Sequence, residues 1–310
     1  MKKPSITING YKTREELEKE QSYLSKSLEI IRKNGFKWWL SLAWWHIKKD
    51  FMTKTYWPLI TRLHKNRLFL KEVLGSKMYL DPTDYGLSRD LACGGIREPA
   101  CTRILLRELK KGMIVVDIGA NIGYYALMEA RTVGEKGKVY ALEPHPKNFE
   151  ILRKNIEING YQNIKAYQIA IGDRKGRAKL GVSDYSNLHK IIEEKESDFT
   201  QYIEVEITTL DEFLKDKESP NFIRMDIEGY ETKALQGMKK TLKETEPPLK
   251  LFIEIHPFLT DTKWLQRELL DLGFKPICYI SYFACVYKMS TEDLLNLNLA
   301  PGYLFLEKNE

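Results

Sequence analysis

The residues of this 310-residue chain best suited to chemistry fall in two groups. The first is the turn Asp117-Ile118-Gly119-Ala120-Asn121-Ile122-Gly123, which follows a short apolar run. Glycines bracketing such a turn let the backbone close on a ligand where a Cβ would intervene. A glycine turn after a strand also serves merely to pack a helix on a sheet, so a second acid matters. Glu143 ends the next apolar run, about 20 residues past Gly123, where a carboxylate grips ribose hydroxyls. A dinucleotide asks for G-x-G-x-x-G so that its pyrophosphate can approach a helix N-terminus, and here the middle glycine position is Asn121. A nucleoside without phosphates, such as S-adenosylmethionine, fits better, with Asp117 suited to its ammonium group. Asp173, in Ile169-Ala-Ile-Gly-Asp173, is placed either to meet an adenine amino group or simply to form a turn. The second group stands at the ends of two later apolar runs: Asp226 and Glu228 on one, Glu254 and His256 on the next. Residues two apart on a strand share a face.

Alternating short strands and helices must position these groups. Strands are predicted at 113–117, 138–143, 164–169, 203–208, 222–227, 250–255, 275–280 and 302–307. Helical spacing falls at 99–110, 123–131, 146–159, 229–243 and 262–272. Such alternation predicts a mostly parallel sheet covered on both faces, and the last two strands suit an antiparallel hairpin at one edge. Ahead of this domain, residues 71–99 read as a β-hairpin lead-in around Gly75-Ser76. Residues 1–70 read as an N-terminal helical segment. Thr13-x-x-Glu16 forms a capping box, Asn34-Gly35 a stop, and 36–57 holds five of the six tryptophans.

Charge separates the same regions. Residues 1–75 carry 16 Lys and Arg against 7 Asp and Glu, and the remainder 33 against 36, so the net +6 comes entirely from the first quarter. A catalytic domain wrapping nucleic acid is disfavoured, while an anionic neighbour for the N-terminal segment is favoured. Cys93, Cys101, Cys278 and Cys285 form no C-x-x-C pair, which argues against both a disulfide framework and a zinc site. The polar first residues argue against a secretory signal, and no apolar run approaches the ~20 residues that cross a bilayer. The expected location is cytoplasmic, peripheral to the inner face of the cell membrane.

Several motifs taken together resemble the FkbM-like family of S-adenosylmethionine-dependent methyltransferases. They are Val116-Asp-Ile-Gly-Ala-Asn-Ile-Gly-Tyr-Tyr125, Val139-Tyr-Ala-Leu-Glu-Pro-His-Pro-Lys-Asn148, Ile223-Arg-Met-Asp-Ile-Glu-Gly-Tyr-Glu231 with Ala234-Leu-Gln-Gly237, and Phe252-Ile-Glu-Ile-His256. Asp81-Pro-Thr-Asp84 and Gly94-Gly-Ile-Arg-Glu98 are similar to that family's lead-in, and the likeness runs in order over about 75–310. Arg224 departs from it, since that position is commonly Lys. The resemblance implies a class I methyltransferase, Rossmann-like α/β fold over 100–310 and, usually, O-methylation of a hydroxyl on a sugar or other metabolite.

Methyl transfer to a hydroxyl is an in-line displacement that needs the acceptor aligned and its proton removed. The cofactor residues expected are Asp117, Gly119, Ala120, Asn121, Gly123, Glu143 and Asp173. Asp226, Glu228, Glu254 and His256 are the catalytic candidates, one serving as general base. Alternatively Asp226, Glu254 and His256 hold a divalent cation such as Mg that acidifies a sugar diol. The plain structural reading has them capping helix 229–243 and closing sheet ends. His46, His64, His145 and His189 look isolated. A glycan or lipid-linked saccharide hydroxyl is the expected acceptor. The alternative is an RNA methyltransferase with a basic, aromatic N-terminal arm, disfavoured because the Asn/Asp-Pro-Pro-aromatic acceptor signature is absent after 222–227. The wide apolar sector of 36–57 suits an anionic membrane surface, or else burial against the catalytic domain or a second subunit of a homodimer.

Overall fold

The structure, a computed structural model, describes residues 51–64, 67–192, 201–256, 261–281, 286–296 and 301–308, together with Phe199. The chain divides into two units, 1–56 and 57–310. Most of the tryptophan-rich segment, with its capping box and its first helices, lies outside the described residues. Trp57 does not. It opens helix α1 (Trp57–His64), is buried, and meets the Phe69 ring at 6.3 Å. It is therefore core of the second unit rather than part of an accessory aromatic face.

Strands β1 (Phe69–Val73) and β2 (Ser76–Leu80) form the expected hairpin. Its two-residue turn, Leu74-Gly75, has positive φ at both positions, matching the right-handed twist of the strands. Helices α2 (Leu87–Gly94) and α3 (Pro99–Glu108) follow, then β3 (Ile114–Ile118), α4 (Tyr124–Val133), β4 (Lys138–Leu142), α5 (Pro146–Asn159) and β5 (Ile164–Tyr167). Pro146 sits at the first turn of α5 and Gly160 ends it in the left-handed region, the usual signals at both ends. The free edge of β2 is satisfied by that helix. Asn155 Oδ1 accepts from the Tyr79 N–H at 2.5 Å, and Asn159 Oδ1 accepts from that of Lys77 at 2.8 Å.

The chain then leaves the central sheet. β6 (Ala170–Ile171), β7 (Gly176–Val182), β8 (Lys190–Ile192) and β9 (Gln201–Thr208) form a separate, mainly antiparallel sheet ordered β6-β9-β7-β8. The strand expected at 203–208 belongs here, not to the parallel sheet. Its alternating exposed and buried residues fit a sheet with one wet face.

After α6 (Leu210–Phe213), the central sheet resumes with β10 (Phe222–Met225), α7 (Glu231–Gln236), α8 (Lys239–Glu244), β11 (Leu249–Ile255), α9 (Thr262–Asp271), β12 (Lys275–Ser281), β13 (Val286–Lys288), α10 (Thr291–Asn296) and β14 (Gly302–Lys308). Its order is β13-β12-β14-β11-β10-β3-β4-β5. β14 inserts antiparallel between β11 and β12, so the expected antiparallel pair is present and β13 adds a further edge strand. Burial on both faces explains why β11 reads as a nearly unbroken apolar run. The single helix expected at 229–243 is broken at Gly237-Met238. The Gly237 carbonyl accepts from Asp211 N–H at 3.1 Å, while the Asp211 carboxylate takes the Thr241 N–H at 2.7 Å and so caps α8.

Candidate active site

The ends of β3, β4 and β10 open on one cleft. Its β3 wall is the loop 119–123. Gly119 has φ 84, and a Cβ there would overlap the Asp226 carbonyl, so only glycine lets β3 and β10 end this close together. Asn121 also takes a left-handed conformation, φ 52, which Asn tolerates. Its N–H donates to Glu143 Oε2 at 2.8 Å, and the N–H of His145 donates to Oε1 at 2.8 Å. The Asn148 side chain is a third donor, and three donors on the four lone pairs of a carboxylate leave acceptor capacity for a ligand. Burial pushes this carboxyl up to about 7, against the pull of those donors.

Gly119, Ala120, Asn121 and Glu143 all line the cleft. Three other expected cofactor residues, Asp117, Gly123 and Asp173, do not. Asp117 is fully buried and pairs with Arg224 Nη1 at 2.8 Å, its partner across the β3–β10 register, so it faces the protein rather than an ammonium group. Asp173 pairs with Lys233 and Arg174, at 3.0 and 3.1 Å, outside the cleft lining. The wall nearby is apolar instead, built from Ile169, Ala170, Ile171, Leu180 and Ile191. Gly123 stands at the foot of α4 with φ 96, where a Cβ would meet Leu152, and serves helix packing.

The catalytic candidates converge on the far side of Gly119. Asp226 and Glu228 line the cleft, while Glu254 and His256 stand behind them. His256 Nε2 lies 3.1 Å from Glu228 Oε2 and 3.8 Å from Glu254 Oε1, and Nδ1 lies 3.2 Å from Glu231 Oε1. Burial opposes charge on the imidazole, but the carboxylates around it prevail and hold it protonated, up to about 12. Asp226 Oδ2 receives Arg224 Nη2 at 2.6 Å and hydrogen-bonds Glu254, which keeps it ionised despite burial. Glu228 is pushed up by burial and by the neighbouring Asp226 and Glu231 carboxylates. Its backbone is left-handed, φ 54, a strain characteristic of functional positions. The donor atoms of Glu228, Glu254 and His256 lie within 4.8 Å of one another. Two of the trio expected for a metal are thus together, and Glu228 takes the place of Asp226, whose oxygen is turned to Arg224.

Four contributors escaped the sequence reading. Arg97 lines the cleft and is held by Asp90 and Glu98, at 3.0 and 2.8 Å. Its Gly94-Gly-Ile-Arg-Glu98 setting was the available signal. Tyr125 packs its ring 4.0 Å from the Arg224 guanidinium. His145 and His189, far apart in the chain, meet at 4.1 Å between ring centroids, and His189 lines the cleft. Burial holds them neutral, at about 4 and about 3.

A mostly parallel sheet with β14 inserted antiparallel, a glycine turn after β3 and an acid ending β4 define a class I methyltransferase-type Rossmann fold. The Methyltransferase FkbM domain model matches residues 117–276, just over half of the chain, and the chain belongs to that family. It is 34% identical over 98 residues to a protein-L-isoaspartate O-methyltransferase of Methanococcoides burtonii, covering 31% of this chain and 47% of that one. It is 25% identical to the hexuronic acid methyltransferase AglP of Haloferax volcanii, covering 50% of this chain and 60% of that one. The chain thus spans about half the length of the curated relatives it matches. The crystal structure of methyltransferase FkbM from Methylobacillus flagellatus is similar with a TM-score of 0.41 and 21% identity, over 63% of this chain and 43% of that one.

Proposed function

We propose that this chain transfers a methyl group from S-adenosylmethionine to a hydroxyl of a sugar, glycan or lipid-linked saccharide. The observation that carries the reading is one cleft with two chemically distinct ends. At one end Glu143 keeps acceptor capacity beside the glycine turn, and at the other Asp226 and Glu228 present carboxylates across Gly119. The hexuronic acid methyltransferase among its relatives supports a saccharide acceptor.

The residues present fit the cofactor: the turn Gly119-Ala120-Asn121 and Glu143 line one cleft, and Glu143 retains acceptor capacity for ribose hydroxyls. When bound, S-adenosylmethionine supplies an electrophilic methyl on a sulfonium. Asp226, kept ionised by Arg224, accepts a hydrogen bond from the acceptor alcohol and orients it. Glu228 is the stronger base of the two and takes the proton as the oxygen–methyl bond forms, while His256, held between Glu228 and Glu231, keeps it aimed. A divalent cation would be held by Glu228, Glu254 and His256, with Glu231 orienting the ring through Nδ1, and would acidify the hydroxyl.

Labelled cofactor incubated with glycan, lipid and RNA fractions of the source cell tests the reading. Label should enter glycan or glycolipid. Label in RNA alone would favour the nucleic-acid alternative and overturn the saccharide assignment. The basic segment 1–70 is proposed to hold the enzyme at an anionic membrane surface on the cytoplasmic side. No described helix is long and apolar enough to cross a membrane.

A further inference from the structure

The loop joining β7 to β8 crosses back over the cofactor turn and is fastened there by a residue of the lead-in. Asp84 is buried, and its carboxylate accepts from Gly86 N–H and Ser88 N–H, each at 2.7 Å. The same carboxylate reaches 102 residues along the chain to Ser186, taking its N–H at 2.9 Å and its Oγ–H at 2.8 Å. The Ser186 carbonyl in turn accepts from Asn121 Nδ2 at 2.9 Å and Asn148 Nδ2 at 3.1 Å. Asn121 is the residue whose N–H holds Glu143. Asp84, Ser186, Asn121 and Glu143 are thus one hydrogen-bonded chain, closed on its other side by the His189–His145 ring contact. Between those two fastenings, Asn187 lines the cleft. Its amide lies where a Cβ on Gly86 would stand, so Gly86 makes room for it.

We infer that residues 183–189 are a strap that positions the nucleoside half of S-adenosylmethionine, with Asn187 touching the ligand and Asp84 and Ser186 acting as positioning residues through Asn121. This rests on the cofactor reading above. It also explains what the Asp81-Pro-Thr-Asp84 lead-in contributes and why a second small sheet stands beside the main one. A neutral amide donates and accepts at once, so it suits the mixed donor and acceptor edge of a nucleoside.

Calorimetric titration of the full chain with S-adenosylmethionine, S-adenosylhomocysteine and adenosine tests it. Asn187→Ala should weaken all three by a similar factor, about fivefold to tenfold, the range of one lost hydrogen bond. Asp84→Asn and Ser186→Ala should do the same, and Ser186→Thr, which keeps the hydroxyl donor, should restore affinity. Gly86→Ala should reproduce the Asn187 loss by displacing its amide. If Asp84→Asn does not fold, the Asn187 and Ser186 variants decide alone. Folded Asn187→Ala and Ser186→Ala proteins with wild-type affinity would overturn the strap and leave the cofactor reading standing. A wild-type chain that binds no S-adenosylmethionine would remove both.

Discussion

Glu143 combines a ligand-facing position with a carboxyl lifted to about 7 by burial, and the two together give a pH signature. Ribose hydroxyls donate to the ionised carboxylate, so the ligand favours loss of the proton. Affinity for S-adenosylmethionine should therefore rise as pH climbs towards about 7, by up to about tenfold per unit, and level off above it. Calorimetry across this range checks the slope, and a flat profile would remove Glu143 from the ribose. Glu143→Ala should abolish the slope and weaken binding by about 1.5–3 kcal/mol. On the acceptor side, Asp226→Asn and Glu228→Gln should each lower turnover about 10²–10⁴-fold with cofactor affinity nearly unchanged. Single-turnover methyl transfer beside binding titrations separates the two effects, and wild-type turnover in both would make the cluster structural. Both ring nitrogens of His256 already face carboxylates at 3.1 and 3.2 Å. Turnover is accordingly expected to survive dialysis against a chelator, whereas loss restored by a divalent cation would assign the ion to Glu228, Glu254 and His256.

The turn after β3 is the element on which both halves of the cleft depend. It brings the Asn121 N–H to Glu143 and, through Gly119, lets β10 deliver Asp226. Gly119→Ala adds a methyl against the Asp226 carbonyl at a positive φ, and should cost about 2–4 kcal/mol in chemical denaturation. Gly160→Ala is a control with the same backbone sign: φ is 65 at the end of α5, but nothing stands within 4 Å of an added Cβ. Its cost should stay near 1 kcal/mol. Equal losses at the two sites would show that crowding at Gly119 is relieved by movement of the turn. Neighbouring segments show how local spacing can mislead. The pattern at 229–243 is helical throughout, yet Asp211 captures a carbonyl and two N–H groups there and divides the helix in two.

For the whole molecule, the charge division and the unit division nearly coincide. Trp57 and Ile60 are buried in the second unit, so a deletion that leaves the catalytic body whole must stop at residue 56 rather than 70. Full-length protein should float with anionic vesicles at low salt and lose them as salt rises, since each basic residue near the surface adds about 1 kcal/mol. A chain beginning at Trp57 should ignore the vesicles and keep its cofactor affinity. If instead the shortened chain unfolds or a dimer separates, the segment is core or interface.

The amino-acid sequence by itself determined the elements whose signals are local. Glycines at 119 and 123, the acid ending β4, and the paired acids and histidine ending β10 and β11 follow from strand and turn patterns within a few residues, and the motifs carry the family. Which carboxylates face the cleft was decided only by tertiary structure. Asp117 and Asp226 lie more than a hundred residues apart in the chain, yet folding pairs both with one guanidinium, that of Arg224, burying the first and leaving the second at the cleft. Asp173 looked equally suited to a ligand until Lys233, 60 residues on, reached it at 3.0 Å. The strap was illegible for the same reason: Asp84 and Ser186 are ordinary turn residues in sequence, and only folding brings them within hydrogen-bonding distance. Strength of pairing depends on distance in space, and burial on what covers a residue, and neither quantity is written in local spacing.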